Sequence, residues 1–175
     1  MSQKLGPTKL HSDTHLENCA TVHPGMAAVK TCISTVSKET LFEQRVRTLL
    51  SEVLIGVKVQ KGAHAIPARY VFDEHQSQQA YPDLVIRSGS RPLAIGDVKY
   101  KEWTGSADES DIYQLLVHTS AFECDKSFLV FPHDRFEFKS LGRAATGAQT
   151  WLFAVDIQQL KQGLVKCAET MQLTV

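Results

Sequence analysis

The sequence predicts an α/β (α+β) domain built on a mixed β-sheet with helices on both faces. Three observations predict it. In TLFEQRVRTLLSEVL, Phe42, Val46, Leu49, Leu50 and Val53 recur on one helical face. Short apolar runs follow, bounded by Gly, Pro, Ser and Asp, as strands separated by turns are. A second helical pattern, DIYQLLVHTSAFE, then lies between two apolar runs, as in a strand–helix–strand crossover. The expected order is α-β-β-β-α-β-β-α.

Residues 1–36 show no sustained period and read as a tail or arm. Within them His11, His15, Cys19 and His23 recur at every fourth position. In a helix His11 and His23 would stand about 18 Å apart, so one ion would reach only a neighbouring pair. An ordinary polar tail is the preferred reading. The domain is expected over 37–175.

Thr40 and Glu43 fit a capping box at the start of the first helix, which should end near Gly56. VKVQ (57–60) and ARYVFD (68–73) read as strands joined by a turn containing Gly62 and Pro67. YPDLVIR and PLAIGDVKYK read as adjacent antiparallel strands around SGSRP. The loop EWTGSADES leads to a helix with Ile112, Leu115, Leu116, Thr119 and Phe122 at helical spacing, capped by Ser110 or Asp108. SFLVFP (127–132) reads as a buried strand stopped by Pro132. The polar stretch after it holds at most a short edge strand around Phe136–Phe138. TWLFAVD (150–156) is a further buried strand, and IQQLKQGLVKCAETM a closing helix capped by Asp156.

Composition narrows the functional classes. The 175 residues are 43% hydrophobic and 22% charged, with a formal net charge of zero. There is no general basic footprint, so contact with nucleic acid must come from a local patch or a partner. Cys19, Cys32, Cys124 and Cys167 form no CxxC pair, which argues against a zinc knuckle. No apolar run reaches the roughly 18 residues of a membrane span, and the N-terminus lacks a signal-peptide core. A cytoplasmic protein with reduced thiols and no membrane contact is expected.

The chemistry concentrates in YPDLVIRSGSRPLAIGDVKYK. Asp83 lies seven residues before Ser90 and Asp97 seven after it. If the two strands pair, these carboxylates face each other, an unfavourable arrangement unless a cation lies between them. Mg²⁺ takes such oxygen ligands. Lys99 shares a strand face with Asp97, whereas Val98 points the other way. Two acids beside an ammonium suit attack by water on a phosphodiester. The plainer readings are a strand-start acid at Asp83 and a surface ion pair between Asp97 and Lys99. The apolar run before Asp97 argues against exposure of that pair.

Pro82-Asp83 followed by Asp97-Val98-Lys99 resembles the PD-(D/E)XK nuclease signature. Glu43, in FEQRVRTLL, is similar to the helical acid that completes the metal site of that family. Gln114, in DIYQLLVHTSAF, resembles the glutamine of the QxxxY helix in its RecB-like branch. The pieces YPDLVI, GDVKYK, DIYQLL and FLVFP, in that order, are most similar to the nuclease subunit of McrBC-type modified-cytosine restriction systems. The resemblance spans about residues 40–160 and implies a restriction-endonuclease-like fold.

It further implies a Mg²⁺-dependent nuclease, with Mn²⁺ able to substitute, that acts as a DNA endonuclease in restriction or DNA processing. Glu43, Asp83, Asp97 and the Val98 carbonyl would bind metal. Lys99 would position water, and Gln114 would support it. Glu43 as a capping-box acid, and Gln114 with His118 as a polar strip on a half-buried helix, are the plainer alternatives. His118 stands where the QxxxY tyrosine would fall. Only about 40 unpatterned residues precede Glu43, where the restriction subunits carry a domain that docks to a GTPase motor, so a stand-alone nuclease domain is expected. The expected partners are DNA and either a second copy or a motor or recognition subunit. The alternative function is a non-catalytic or partner-dependent nuclease-fold module that binds DNA or assembles with a motor.

Overall fold

A computed structural model describes residues 36–173. The tail and its His11, His15, Cys19 and His23 series lie outside the described residues. Helix α1 spans Lys38–Val53. Its cap is Ser37, whose hydroxyl accepts the Thr40 N–H at 3.2 Å, not the expected Thr40 and Glu43 box. Ser37 is an equally good cap and is followed by helix-compatible residues, so the helix starts earlier. Glu43 therefore lies more than a turn inside α1, free of any capping duty. Leu54 turns extended, and Gly56 at φ 73° redirects the chain, as expected.

The main sheet has six strands. They are β1 (Lys58–Gln60), β4 (Leu84–Ser88), β5 (Arg91–Val98), β6 (Lys126–His133), β7 (Glu137–Arg143) and β8 (Gln149–Asp156), in the order β1-β4-β5-β6-β8-β7. β5–β6 and β6–β8 are parallel; the other pairs are antiparallel. The mixed sheet agrees with expectation. β2 (Tyr70–Phe72) and β3 (Ser77–Gln79) instead form a separate hairpin. The expected pairing of the first two strands is thus replaced by β1–β4 and β2–β3. After β1 the chain turns at Gly62, whose N–H donates to the Pro82 carbonyl at 2.7 Å, and this carries the following residues away from the sheet. Val71 and Phe72 stay exposed, and β3 has no apolar residue to announce it.

Helix α2 spans Glu109–Ala121 and α3 spans Leu160–Thr170. Asp108 takes the N-cap position of α2, but its carboxylate bonds Lys101 and not the helix start. The expected Asp156 cap of α3 is not formed. Gln159 takes that position, and Asp156 Oδ1 accepts the Gln158 N–H at 2.8 Å. β6 continues past Pro132, where the sequence suggested a stop. Lys99 N–H donates to the Val130 carbonyl and Ile157 N–H to the His133 carbonyl, so even-numbered β6 residues face β5 and odd-numbered ones face β8. The donor that Pro132 lacks falls on the β5 side, beyond the end of β5. β7 is an edge strand as expected, but longer, with a register shift between Ser140 and Gly142.

Strand alternation sorts the core into two layers. Leu84, Ile86, Ala94, Phe128, Val130 and Phe153 pack with α1 and α3. Val85, Ile95, Leu129, Phe131 and Leu152 pack with Leu115 and Phe122 on the α2 side. Each large buried side chain contributes about 1.5–3 kcal/mol. No described helix is long and apolar enough to cross a membrane.

Candidate active site

The last β4–β5 pair, Leu84 with Gly96, brings Asp83 opposite Asp97. The two acids share a reciprocal backbone clasp. Asp83 N–H donates to Asp97 Oδ1 at 3.0 Å, and Val98 N–H donates to Asp83 Oδ2 at 2.9 Å. Asp97 is only 2% exposed and follows the alternation of Ile95, which turns it toward α2. Val98 packs into the opposite apolar layer, as expected. The N–H and C=O of one strand residue point the same way, so the Val98 carbonyl also turns toward Asp83.

Lys99 returns to the α2 side. Its Nζ donates to Gln114 Oε1 at 2.8 Å and lies 3.4 Å from Asp111 Oδ1. His118, one turn beyond Gln114, places Nδ1 3.3 Å from Asp97 Oδ2. Asp111, Gln114 and His118 stand at i, i+3 and i+7 on α2, one helical stripe facing the end of β5. Sequence reading missed Asp111. Its spacing from Gln114 and His118 was the available signal. Asp111 also pairs with Lys101, as does Asp108, and these two carboxylates hold the Lys101 ammonium above its ordinary pKa.

Glu43 comes from the other side of the sheet. It pairs with Arg47 at 2.5 Å and Lys61 at 2.7 Å and has no hydrogen bond to either aspartate. Its charge still reaches the clasp. Burial raises the Asp83 pKa above the ordinary value, with the charges of Asp97 and Glu43 adding to the rise. The Val98 N–H and the Lys99 charge oppose it. Asp83, Asp97, Lys99 and Gln114 are thus brought together with Asp111 and His118, while Glu43 is held by two cations nearby.

Among the described residues no three His, Cys, Asp or Glu side chains form a ready-made cage for an ion. The donors nonetheless suit one. Asp97 Oδ2 is buried without a hydrogen-bond partner, and paired carboxylates with added waters are a usual Mg²⁺ environment.

A chain of the refined half-complex from the tetradecameric assembly of Thermococcus gammatolerans McrB AAA+ hexamers with bound McrC is similar in fold. The TM-score is 0.60 at 15% identity, over 78% of this chain and 34% of that one. This chain therefore spans about a third of the length of its structural relative. No curated protein matches the sequence. Residues 33–132 match the family model described as McrBC 5-methylcytosine restriction system component. With more than half of its length inside that match, the chain belongs to the McrBC 5-methylcytosine restriction system component family.

Proposed function

We propose that this chain is a metal-dependent nuclease that hydrolyses DNA phosphodiester bonds within a restriction system. The observation that carries the reading is the Asp83–Asp97 clasp at the end of the β4–β5 hairpin, with Lys99 on the same face as Asp97. Asp83 and Asp97 would hold Mg²⁺ or Mn²⁺, joined by the Val98 carbonyl and by Glu43 once it leaves Arg47 or Lys61. An ion bound there offsets phosphate charge and makes a nearby water more acidic. Lys99, held by Gln114 and Asp111, is aimed to position water or to balance charge developing on the phosphate.

The test is incubation of the purified chain with circular, linear, single-stranded and modified DNA, and with RNA, in Mg²⁺ or Mn²⁺. Cleavage that stops in excess EDTA and in Asp97→Ala or Lys99→Ala supports the proposal. Wild-type cleavage in excess EDTA overturns the metal mechanism.

A second reading, a nuclease that works only beside a partner, is favoured by charge. The net charge is zero, and both site lysines are already paired with α2 acids. The similar structure holds McrB AAA+ hexamers with bound McrC. Cleavage that appears only when a AAA+ motor is added would support this reading.

A further inference from the structure

We propose that His118 supplies a nitrogen ligand beside Asp97, so that the centre selects Mn²⁺ or another first-row transition ion over Mg²⁺. This rests on the nuclease-centre reading above and goes beyond it to the identity of the ion.

The observation is a pair of orphaned buried atoms. His118 is 8% exposed and Asp97 2%. His118 Nδ1 and Asp97 Oδ2 lie 3.3 Å apart, close enough for an ion pair, yet neither has a hydrogen-bond partner. The distance is met and the hydrogen-bond geometry is not. Two buried polar atoms that face each other without a hydrogen bond are costly unless something lies between them.

A shared ion meets that need with the spacing observed. Two atoms bound to one ion at about 2.1 Å stand roughly 3.0 Å apart at right angles and roughly 3.4 Å apart at tetrahedral angles. The ring belongs to the face of α2 that meets the sheet. It projects from the buried stripe of α2 beside Leu115 and Thr119, and the Thr119 hydroxyl is tied to the Leu115 carbonyl at 2.6 Å. The Asp97 carboxylate is fixed by its other oxygen, which accepts the Asp83 N–H.

The donor types then decide the ion. Mg²⁺ prefers oxygen ligands and retains its waters. Imidazole favours transition ions, so a site that pairs the Asp97 carboxylate with the His118 imidazole should rank them above Mg²⁺. A histidine that merely steadies Asp97 through an ion pair would make no such distinction, because it would support every ion through the same oxygen.

The test uses the full chain stripped with EDTA, titrated calorimetrically with Mg²⁺, Mn²⁺ and Co²⁺. Wild type should bind Mn²⁺ more tightly than Mg²⁺. His118→Gln and His118→Ala should each lose about tenfold or more in Mn²⁺ and Co²⁺ affinity while Mg²⁺ affinity is unchanged. Pulsed EPR of the Mn²⁺-loaded wild type should show imidazole nitrogen coupling, a readout that needs no variant to fold. Equal losses for all ions, no loss for any ion, or absent nitrogen coupling would overturn the proposal while leaving the nuclease reading in place. If wild type binds no divalent ion by any of these measures, both fall.

Discussion

Asp83 and Asp97 hold each other through the main chain: Asp83 donates its N–H to Asp97 Oδ1, and its own Oδ2 accepts the N–H of Val98, the residue after Asp97. Each carboxylate therefore commits one oxygen to the backbone of the opposite strand. Two like charges are fixed close together by local hydrogen bonds before any ligand arrives, and the arrangement leaves Asp97 Oδ2 facing His118. This relationship, more than any single residue, sets what the site can do.

Removing either arm of the proposed chemistry should stop it. Asp97→Ala and Lys99→Ala are expected to lower the Mg²⁺-dependent cleavage rate by about a hundredfold or more, the usual loss for a group that acts on developing charge. Far-UV circular dichroism should be unchanged. Time courses on plasmid DNA with matched metal concentrations read the effect.

The Asp83 carboxyl gives a pH signature in the metal-free protein. Its folded pKa is raised, chiefly by burial and further by Asp97 and Glu43. The stability it confers is therefore fully present below the unfolded value, about 3.9, and is lost as pH rises through the folded value. Asp83→Asn keeps an oxygen for the Val98 N–H without the charge. In EDTA it should melt at a higher temperature than wild type at neutral pH, and the difference should shrink to nothing at acidic pH. Thermal melts across pH in the two proteins check the sign.

Gly96 tests how tightly the sheet holds Asp97. A Cβ there would lie 2.5 Å from Phe128 Cζ, inside the α1–α3 layer. Gly96→Ala should destabilise the fold by about 1–3 kcal/mol through overpacking. Phe128→Leu in the same chain should recover part of the loss. Urea titrations of the single and double variants measure it, and a cleavage assay shows whether the neighbouring Asp97 is displaced.

Asp111 restrains both Lys99 and Lys101. Asp111→Ala should loosen them, leaving Lys99 with Gln114 and Lys101 with Asp108, with two opposite effects. DNA affinity should rise and become more salt-dependent, because one carboxylate that competes with phosphate for the two ammonium groups is gone. Cleavage should fall by up to about a hundredfold, because Lys99 loses its aim. Fluorescence anisotropy at several salt concentrations, set beside single-turnover rates, separates the two.

Much of this site was readable from residue order, and the reasons are local. The β4–β5 hairpin is strongly patterned, with Leu84–Ile86 and Leu93–Ile95 flanking SGSRP, so the register opposing Asp83 and Asp97 follows from counting. β2 and β3 were not readable as a separate hairpin, because Ser77–Gln79 carries no apolar signal and Val71 and Phe72 remain at the surface. Asp111 was passed over because an acid in the first turn of a helix already has a sufficient reason to be there. Glu43 and Lys61 meet only through tertiary approach, at 2.7 Å across 18 positions of sequence, and no periodicity announces such a pair.

The site residues are also unevenly distributed along the chain. Asp83, Asp97, Lys99, Asp111, Gln114 and His118 come from one uninterrupted run, the hairpin of β4 and β5 followed by the crossover into α2. Glu43 alone comes from upstream, and the exposed β2–β3 turn at Asp73–Gln76 lies between the two parts. The molecule thus has a natural seam. A single backbone cut there would leave Glu43 on one fragment and the rest of the centre on the other, so a split protein could separate the contribution of the helical acid from that of the hairpin without changing a side chain.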